Sequence, residues 1–502
     1  MRIVSTLLFS AMTAIAVHAT DYNVPITVTV NGVTSEQTGV ITIVENEGLY
    51  DLTLKNFMLQ SENGPMGVGN VELKGIEPCQ DGNATLLFVN DQIPITNGDD
   101  PSVVFWMASI LPPVNVQLRA KIEGDHLRSY IDIDMMESLG QIIKVAIGGG
   151  YQMPNFGFES WHTSTEGYVE PNGWHSFESA TGTFAPLAGH HIDKSNDAHT
   201  GEASARIFST SIFGIVANGT MTTGRMNAGS ISATDPANNA YLDMGMTDVD
   251  GNGDPYYTPM YSRPDSVAVW VKFNQGTAND EHPYATISAI ITDGTYYQDP
   301  EDKTYDNVVA KAKDNTIAAT GDKWVRVAAP FVYNDNAVEP QAVLITISTN
   351  ADAGQGSNND VVLVDDIEFI YDAKVTGLKI KDQDVTAFSP DNTFYEMELN
   401  KEIKADDIEV TTEGKAPHII KKVEVEDNHY ICTVAAINAD MSAMTTYVVK
   451  VKSNATTIIE LQPATSQPDT HFTLDGRKEN TPVQGRVYIV RHADGTVTKI
   501  RK

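Results

Sequence analysis

The feature that most limits how this chain can fold is a two-residue hydrophobic alternation that recurs along almost its whole length. Val361 to Tyr371 shows it best: Val-Val-Leu-Val-Asp-Asp-Ile-Glu-Phe-Ile-Tyr sets apolar side chains at alternate positions around two adjacent carboxylates. Such a run, rich in β-branched and aromatic residues, predicts a strand. An acid on its dry face calls for a counter-charge, for which a cation is the first candidate. Asn155 to Trp161 repeats the pattern around Glu159, so the two stretches are expected to lie together and define a middle domain. With no credible amphipathic helix beside these runs, the chain is predicted to be all-β and, at 502 residues, multidomain.

Four segments and a leader follow from changes in texture. Arg2, the apolar run Ile3 to Val17 and the sequence Val17-His18-Ala19 predict a signal peptide over 1–19, cleaved near Ala19, and hence an exported protein, secreted or at the cell surface. No later run has the roughly 18 apolar residues of a spanning helix. Residues 21–150 hold about nine short alternating runs, Val103 to Met107 among them, as an up-and-down barrel or a sandwich would. Residues 152–372 are richer in Gly, Trp, Tyr, His and Asp, with long loops between strands. Residues 374–453 carry six or seven compact strands, as a small Ig-like β-sandwich does. Residues 454–502 begin as a Thr-, Gln- and Pro-rich linker and end in hairpin-like sequence.

A net charge of -32 argues against nucleic acid or an anionic membrane as partner. Cys79 and Cys432 fall in different segments and read as free buried thiols rather than a bridge. No nucleophile elbow, zinc-protease helix, phosphate-binding glycine loop or Cys/His metal spacing is present. Glycoside hydrolysis needs only two carboxylates and stays open on sequence alone. Asp248-Val-Asp250-Gly-Asn252-Gly253-Asp254 matches half of an EF-hand loop, but Pro259 replaces the closing Glu, leaving a loop tip that is solvated or a weak calcium turn. Adjacent His190 and His191 read as a solvated pair.

Sugar recognition uses flat aromatic faces with polar groups beside them. The candidate ligand-binding residues are Trp161, Trp174 and His175 in one stretch, Tyr256 and Tyr257 in a second, and Tyr297 in a third. Trp270 and Trp324, inside strand patterns, read as core.

Several stretches resemble known families. Tyr50-Asp-Leu-Thr-Leu-Lys-Asn-Phe57 followed by Met66-Gly-Val-Gly-Asn-Val71 resembles the calycin-like (lipocalin-related) barrel domain of exported Bacteroidetes proteins. That resemblance implies a barrel enclosing either an apolar ligand or its own side chains. Asn155 to Trp161, Asn172 to His175, His199 to Arg206, Ser262 to Val267, Trp270 to Phe273 and Val364 to Ile367 occur in the order of a carbohydrate-metabolism domain family of Bacteroidetes surface proteins. This family is similar to jelly-roll carbohydrate-binding modules. The resemblance implies a jelly-roll β-sandwich, a glycan or polysaccharide partner, and a structural Ca2+ held by Glu159, Asp365 and the Lys194 to Asp197 loop, with Asp197 as its side-chain ligand. Asp366 points the other way along the strand and reads as solvent-facing. Phe388 to Tyr395 and Tyr447 to Val451 resemble cadherin/Ig-like spacer modules. Phe472 to Arg477, Gly485 to Val490 and Asp494 to Lys499 resemble the C-terminal tails that address proteins to type IX secretion machinery. The expected function is non-catalytic glycan recognition, against a glycoside-processing enzyme or an adhesive surface protein.

Overall fold

The computed structural model describes residues 18–30, 33–59, 65–136, 140–212, 214–246, 252–298, 305–335, 338–412, 418–426, 429–452, 470–473, 478–479, 487–491 and 497–501. The sequence expected as a signal peptide lies outside the described residues, except for the His18-Ala19 end, which opens the first strand. The protein is a multidomain all-β chain. Among the described residues no helix is long and apolar enough to cross a membrane.

The first nine strands form one antiparallel sheet: β1 (His18–Val30), β2 (Val33–Asn46), β3 (Leu49–Leu59), β4 (Met66–Ile76), β5 (Pro78–Asp81), β6 (Ala84–Ile93), β7 (Val114–Glu123), β8 (His126–Met135) and β9 (Gln141–Ile147). Their order β4-β3-β2-β1-β9-β8-β7-β6-β5 joins the first strand to the last, and isolated bridges Gly67 to Trp106 and Asn70 to Thr96 draw the β4 edge toward the segment after β6. Val103 to Met107, expected as a strand, serves this closure instead, running into the single-turn helix Met107–Ser109. Inward side chains such as Ile26, Val28, Ile41, Leu52, Leu118 and Val145 fill the interior, as the alternation requires.

A second core lies between two sheets of a sandwich. One sheet has the order β10-β11-β18-β13-β16, from β10 (Ile192–Ser195), β11 (Ser204–Phe208), β13 (Ser266–Asn274), β16 (Val325–Pro330) and β18 (Val361–Ile370). The other runs β12-β17-β14-β15, from β12 (Thr220–Thr222), β14 (Ala285–Thr292), β15 (Val308–Ile317) and β17 (Ala342–Ser348), with short strands Thr258–Pro259 and Val332–Tyr333 at its margins. Val269, Val271, Phe273, Ile287, Ile345, Val364 and Phe369 interdigitate between them.

A third core, Val375 to Val451, sits between a three-stranded and a four-stranded sheet. Its loop Asn438–Ser442 docks on the barrel. Arg119 Nε donates to Met441 O at 2.8 Å, Arg128 Nε to Asp440 O at 3.0 Å, and Met441 and Ile437 pack on Ala84 and Leu86. The sandwich joins the same junction through Gln152, whose Nε2 donates to Asp440 Oδ2 at 2.9 Å and to Phe369 O at 2.7 Å. Neither cysteine is bridged; Cys432 is buried, and burial pushes its thiol up to about 12. In the C-terminal segment, strands Thr470–Thr473, Lys478–Glu479, Val487–Arg491 and Val497–Arg501 form one small sheet.

Candidate functional site

The outer face of the β12-β17-β14-β15 sheet carries a groove of ≈ 320 Å³. Its floor follows from strand alternation: Val343, Ile345 and Ile347 of β17 face the core, so Thr346 and Ser348 face out. Register then aligns Thr220, Ser348 and Thr286 in one row and Thr346, Ser288 and Lys313 in the next. Thr220 Oγ1 donates to Ser348 Oγ at 3.2 Å, which orders the first row. Loops raise the walls: Phe177, Phe184, Leu187, Ile215, Met226 and Ile231 supply apolar surface, and Asn238 and Asn239 supply amides. Leu187, Ile215 and Ile231 are exposed although large and apolar. No Asp, Glu, His or Cys occurs among the described lining residues, and Lys313 is the one charged group there.

None of the six aromatic and histidine candidates lines this groove. Trp174 is 1% exposed and packs on Phe158 with ring centroids 5.4 Å apart. His175 is buried against Tyr256, its Nε2 at 3.2 Å from Pro255 O. Tyr256, beneath the Arg225 guanidinium, and Tyr297 are fully buried. These four are core, because turn-like sequence around an aromatic residue also serves to fold a loop inward. Trp161 is half-buried on the sandwich core, its Nε1 donating to Phe158 O at 2.5 Å, and Tyr257 is half-buried against a separate small cluster. Trp270 and Trp324 depart from expectation in the other direction. Both are half-buried on the outer face of the five-stranded sheet, where they meet the His199 ring at centroid distances of 3.8 Å and 6.1 Å.

The three carboxylates expected around calcium have other partners. Glu159 Oε1 accepts from the backbone N–H of Glu202 at 2.8 Å and of Ala203 at 3.1 Å. Gly201, at φ 66, leaves the room this needs, since a side chain there would collide with the Glu159 carboxylate. Asp365, 0% exposed, accepts through Oδ2 from His199 N at 2.7 Å and Thr200 N at 3.3 Å. Asp197 is ion-paired with Lys272 Nζ at 2.6 Å. Backbone N–H groups meet Glu159 Oε1 and the Asp365 carboxylate, an ammonium meets Asp197, and among the described residues no group of three or more His, Cys, Asp or Glu is placed to hold a metal. The set as arranged does not fit a shared calcium. In the EF-hand-like loop, Asp248 and Asp250 lie outside the described residues, while Asp254 Oδ2 accepts from Gly173 N at 2.5 Å.

The partners of Asp365 are therefore three backbone dipoles, those of His199 and Thr200 on Oδ2 and that of Asp366 on Oδ1 at 2.8 Å. Burial, and after it the charge of Asp366, raises the Asp365 carboxyl to about 7. Asp366 is more than solvent-facing: its Oδ2 lies 2.6 Å from His199 Nδ1, and its Oδ1 accepts from Thr200 Oγ1 at 2.8 Å. The histidine pair also differs from expectation. His191 is buried with Nδ1 at 2.8 Å from Phe208 O, and His190 sits between Glu178 and Asp193, whose carboxylates raise its pKa.

Comparison with known proteins adds a class for one part of the chain. Residues 19–149 match the calycin-like beta-barrel domain family, in agreement with the nine-stranded meander. A solved structure described as "Structural basis for the promiscuous specificity of the carbohydrate-binding modules from the beta-sandwich super family" aligns over 68% of this chain and 97% of its own, at 9% identity and a TM-score of 0.22. That score is too low to carry an argument about fold or ligand. No curated protein matches the chain.

Proposed function

We propose that this is an exported glycan-binding protein whose sandwich recognises saccharides without transforming them. One observation carries the reading: a groove whose walls are apolar with amides among them and whose floor is hydroxyl and one ammonium, with no carboxylate among its described lining residues. A pyranose has that same division, C–H faces beside hydroxyl edges, so apolar walls and strand hydroxyls complement it. Acid–base hydrolysis uses a pair of carboxyl groups flanking the glycosidic bond. The described lining supplies no such pair, which favours binding over hydrolysis. Export rests on the N-terminal apolar run after Arg2 and on the resemblance of the C-terminal segment to secretion-addressing tails.

A glycan array probed with the full chain tests this. Binding is expected for at least one neutral glycan and should be lost in Ser288→Phe, which fills the floor. A blank array, or sugar release from a polysaccharide panel, would overturn the reading.

A further inference from the structure

A second, larger cavity of ≈ 980 Å³ lies where the barrel, the sandwich and the Asn438–Ser442 loop meet. The barrel contributes outward side chains of β1, β2 and β9, the positions that alternate with its core. They include Thr27, Glu36, Thr38 and Lys144. The sandwich contributes Trp270, Asp366 and Glu368 across the cleft.

This wall is built rather than left over from packing. The β13–β18 pairing slips between Ala268 and Trp270, a bulge that re-aims the side chains beside it, and Asp366 holds a left-handed φ of 44. A non-glycine residue there is strained, and such strain concentrates at functional sites. Here it lets the Asp366 carboxylate hold His199 and Thr200 together, and His199 in turn lies flat on Trp270 at 3.8 Å and 14°. The indole is thereby fixed at the cleft wall by a stacked, carboxylate-tethered ring. Glu36, at the barrel side, anchors the rim by accepting from Asn155 N at 2.6 Å.

Charge selects the ligand class. Glu36, Asp366 and Glu368 stand against Arg128 and Lys144, so three acids meet two bases and an anionic ligand is not favoured. Threonine hydroxyls, glutamine amides and mixed charges around one held indole suit a ligand dense in neutral hydroxyls with an apolar face. We infer that this three-domain cleft binds a neutral oligosaccharide, longer than the groove on the sandwich accepts, with Trp270 as its stacking platform. The choice of ligand class rests on the glycan-binding reading above; the site itself rests on separate residues.

The test titrates the full chain with a ladder of neutral hexose oligosaccharides, disaccharide to octasaccharide, reading tryptophan fluorescence. The longer members are expected to bind the native protein and to lose about tenfold or more in affinity in Trp270→Ala, whereas Ser288→Phe should lose only the short members that the groove accepts. Thr38→Trp, a substitution on the exposed outer face of the barrel, fills the cleft from the opposite wall and should reproduce the loss if Trp270→Ala folds poorly. Binding unchanged in both cleft variants but lost in Ser288→Phe would overturn the cleft and leave the groove standing. Loss of the longer members in the cleft variants, with the short members still binding there, would establish the cleft beside the groove. A ladder that binds nowhere overturns both.

Discussion

The groove and the cleft solve the same recognition problem with opposite materials. The groove belongs to one sheet and its own loops, takes its polarity from neutral hydroxyls and amides, and has one ionisable lining residue. The cleft is three times the volume, is lined by charged side chains of both signs, and exists only because three domains hold their positions. A site on one sheet inherits its shape from strand register and survives changes elsewhere. A site between domains is as good as the contacts that hold those domains.

The largest expected effect separates the two on that ground. Arg128 is buried beside Asp440, with Nη2 and Oδ2 4.0 Å apart, and donates to Gly148 O at 2.7 Å. Arg128→Ala removes the cation beside the buried Asp440 and the bonds to Asp440 O and Gly148 O, while Gln152 and Ser442 still donate to the carboxylate, so the loss should fall at the lower end of the roughly 3–5 kcal/mol typical of a broken buried pair. Chemical denaturation should show that loss, and oligosaccharide binding should fail in the cleft while the groove retains it. Equal loss at both sites would erase the distinction.

Next is a pH effect seated under the cleft wall. The Asp365 carboxyl releases its proton near the ordinary carboxylate value of 3.8 when unfolded and, because it is buried, at about 7 when folded, so the folded state holds the proton between those values. Stability therefore declines as pH rises from about 4 to about 7, by about 1.4 kcal/mol per unit at most, and is flat above. Denaturation midpoints across that window should lose this slope in Asp365→Asn. A wild-type profile that rises over the same window would contradict the burial assigned to this residue.

Smaller still, Ile231→Asp removes an exposed apolar wall of the groove and should weaken glycan binding there by about tenfold, roughly 1.4 kcal/mol, without moving the melting midpoint. Finally, adding EDTA should leave the melting midpoint of the full chain where it was. A drop would show a native-state metal, since a ligand bound by the folded state alone must stabilise it.

The fold was largely legible because alternation is a local signal that survives without knowledge of neighbours. It identified the Val361–Tyr371 strand and most barrel strands, yet misread Val103 to Met107, whose alternating residues close the barrel through a bridge and a helical turn. It also read Asp365 as inward, which it is. Local sequence could not say what meets that carboxylate, because beside the N–H of Asp366 its partners are N–H groups 165 and 166 positions away. Four of the ligand-binding candidates are buried for a related reason. Trp174 between Asn172-Gly173 and His175 has the composition of an exposed turn, and burial was decided by the distant Phe158 and Asp254 contacts that fold it inward. The residues that do line the groove, Ser288, Thr346 and Ser348, look like ordinary outward positions of strands. The cleft was invisible in principle, since its walls come from segments hundreds of positions apart. One signal was available: the adjacent Asp365 and Asp366 break the alternation of their strand, and that break is the bulge.

The third domain also has a mechanical meaning. Its strand Met444–Lys452 lies parallel to Phe394–Glu398 in register from Phe394 with Val448 to Glu398 with Lys452, and antiparallel to His429–Ile437 on its other side. A pull applied at Lys452 acts along that strand, so both ladders are sheared at once rather than unzipped bond by bond. The lock of Met441 and Asp440 on the barrel receives the same pull through the connected sheet. Tension arriving from the C-terminal side would thus be spread over the shared junction before it could part the cleft.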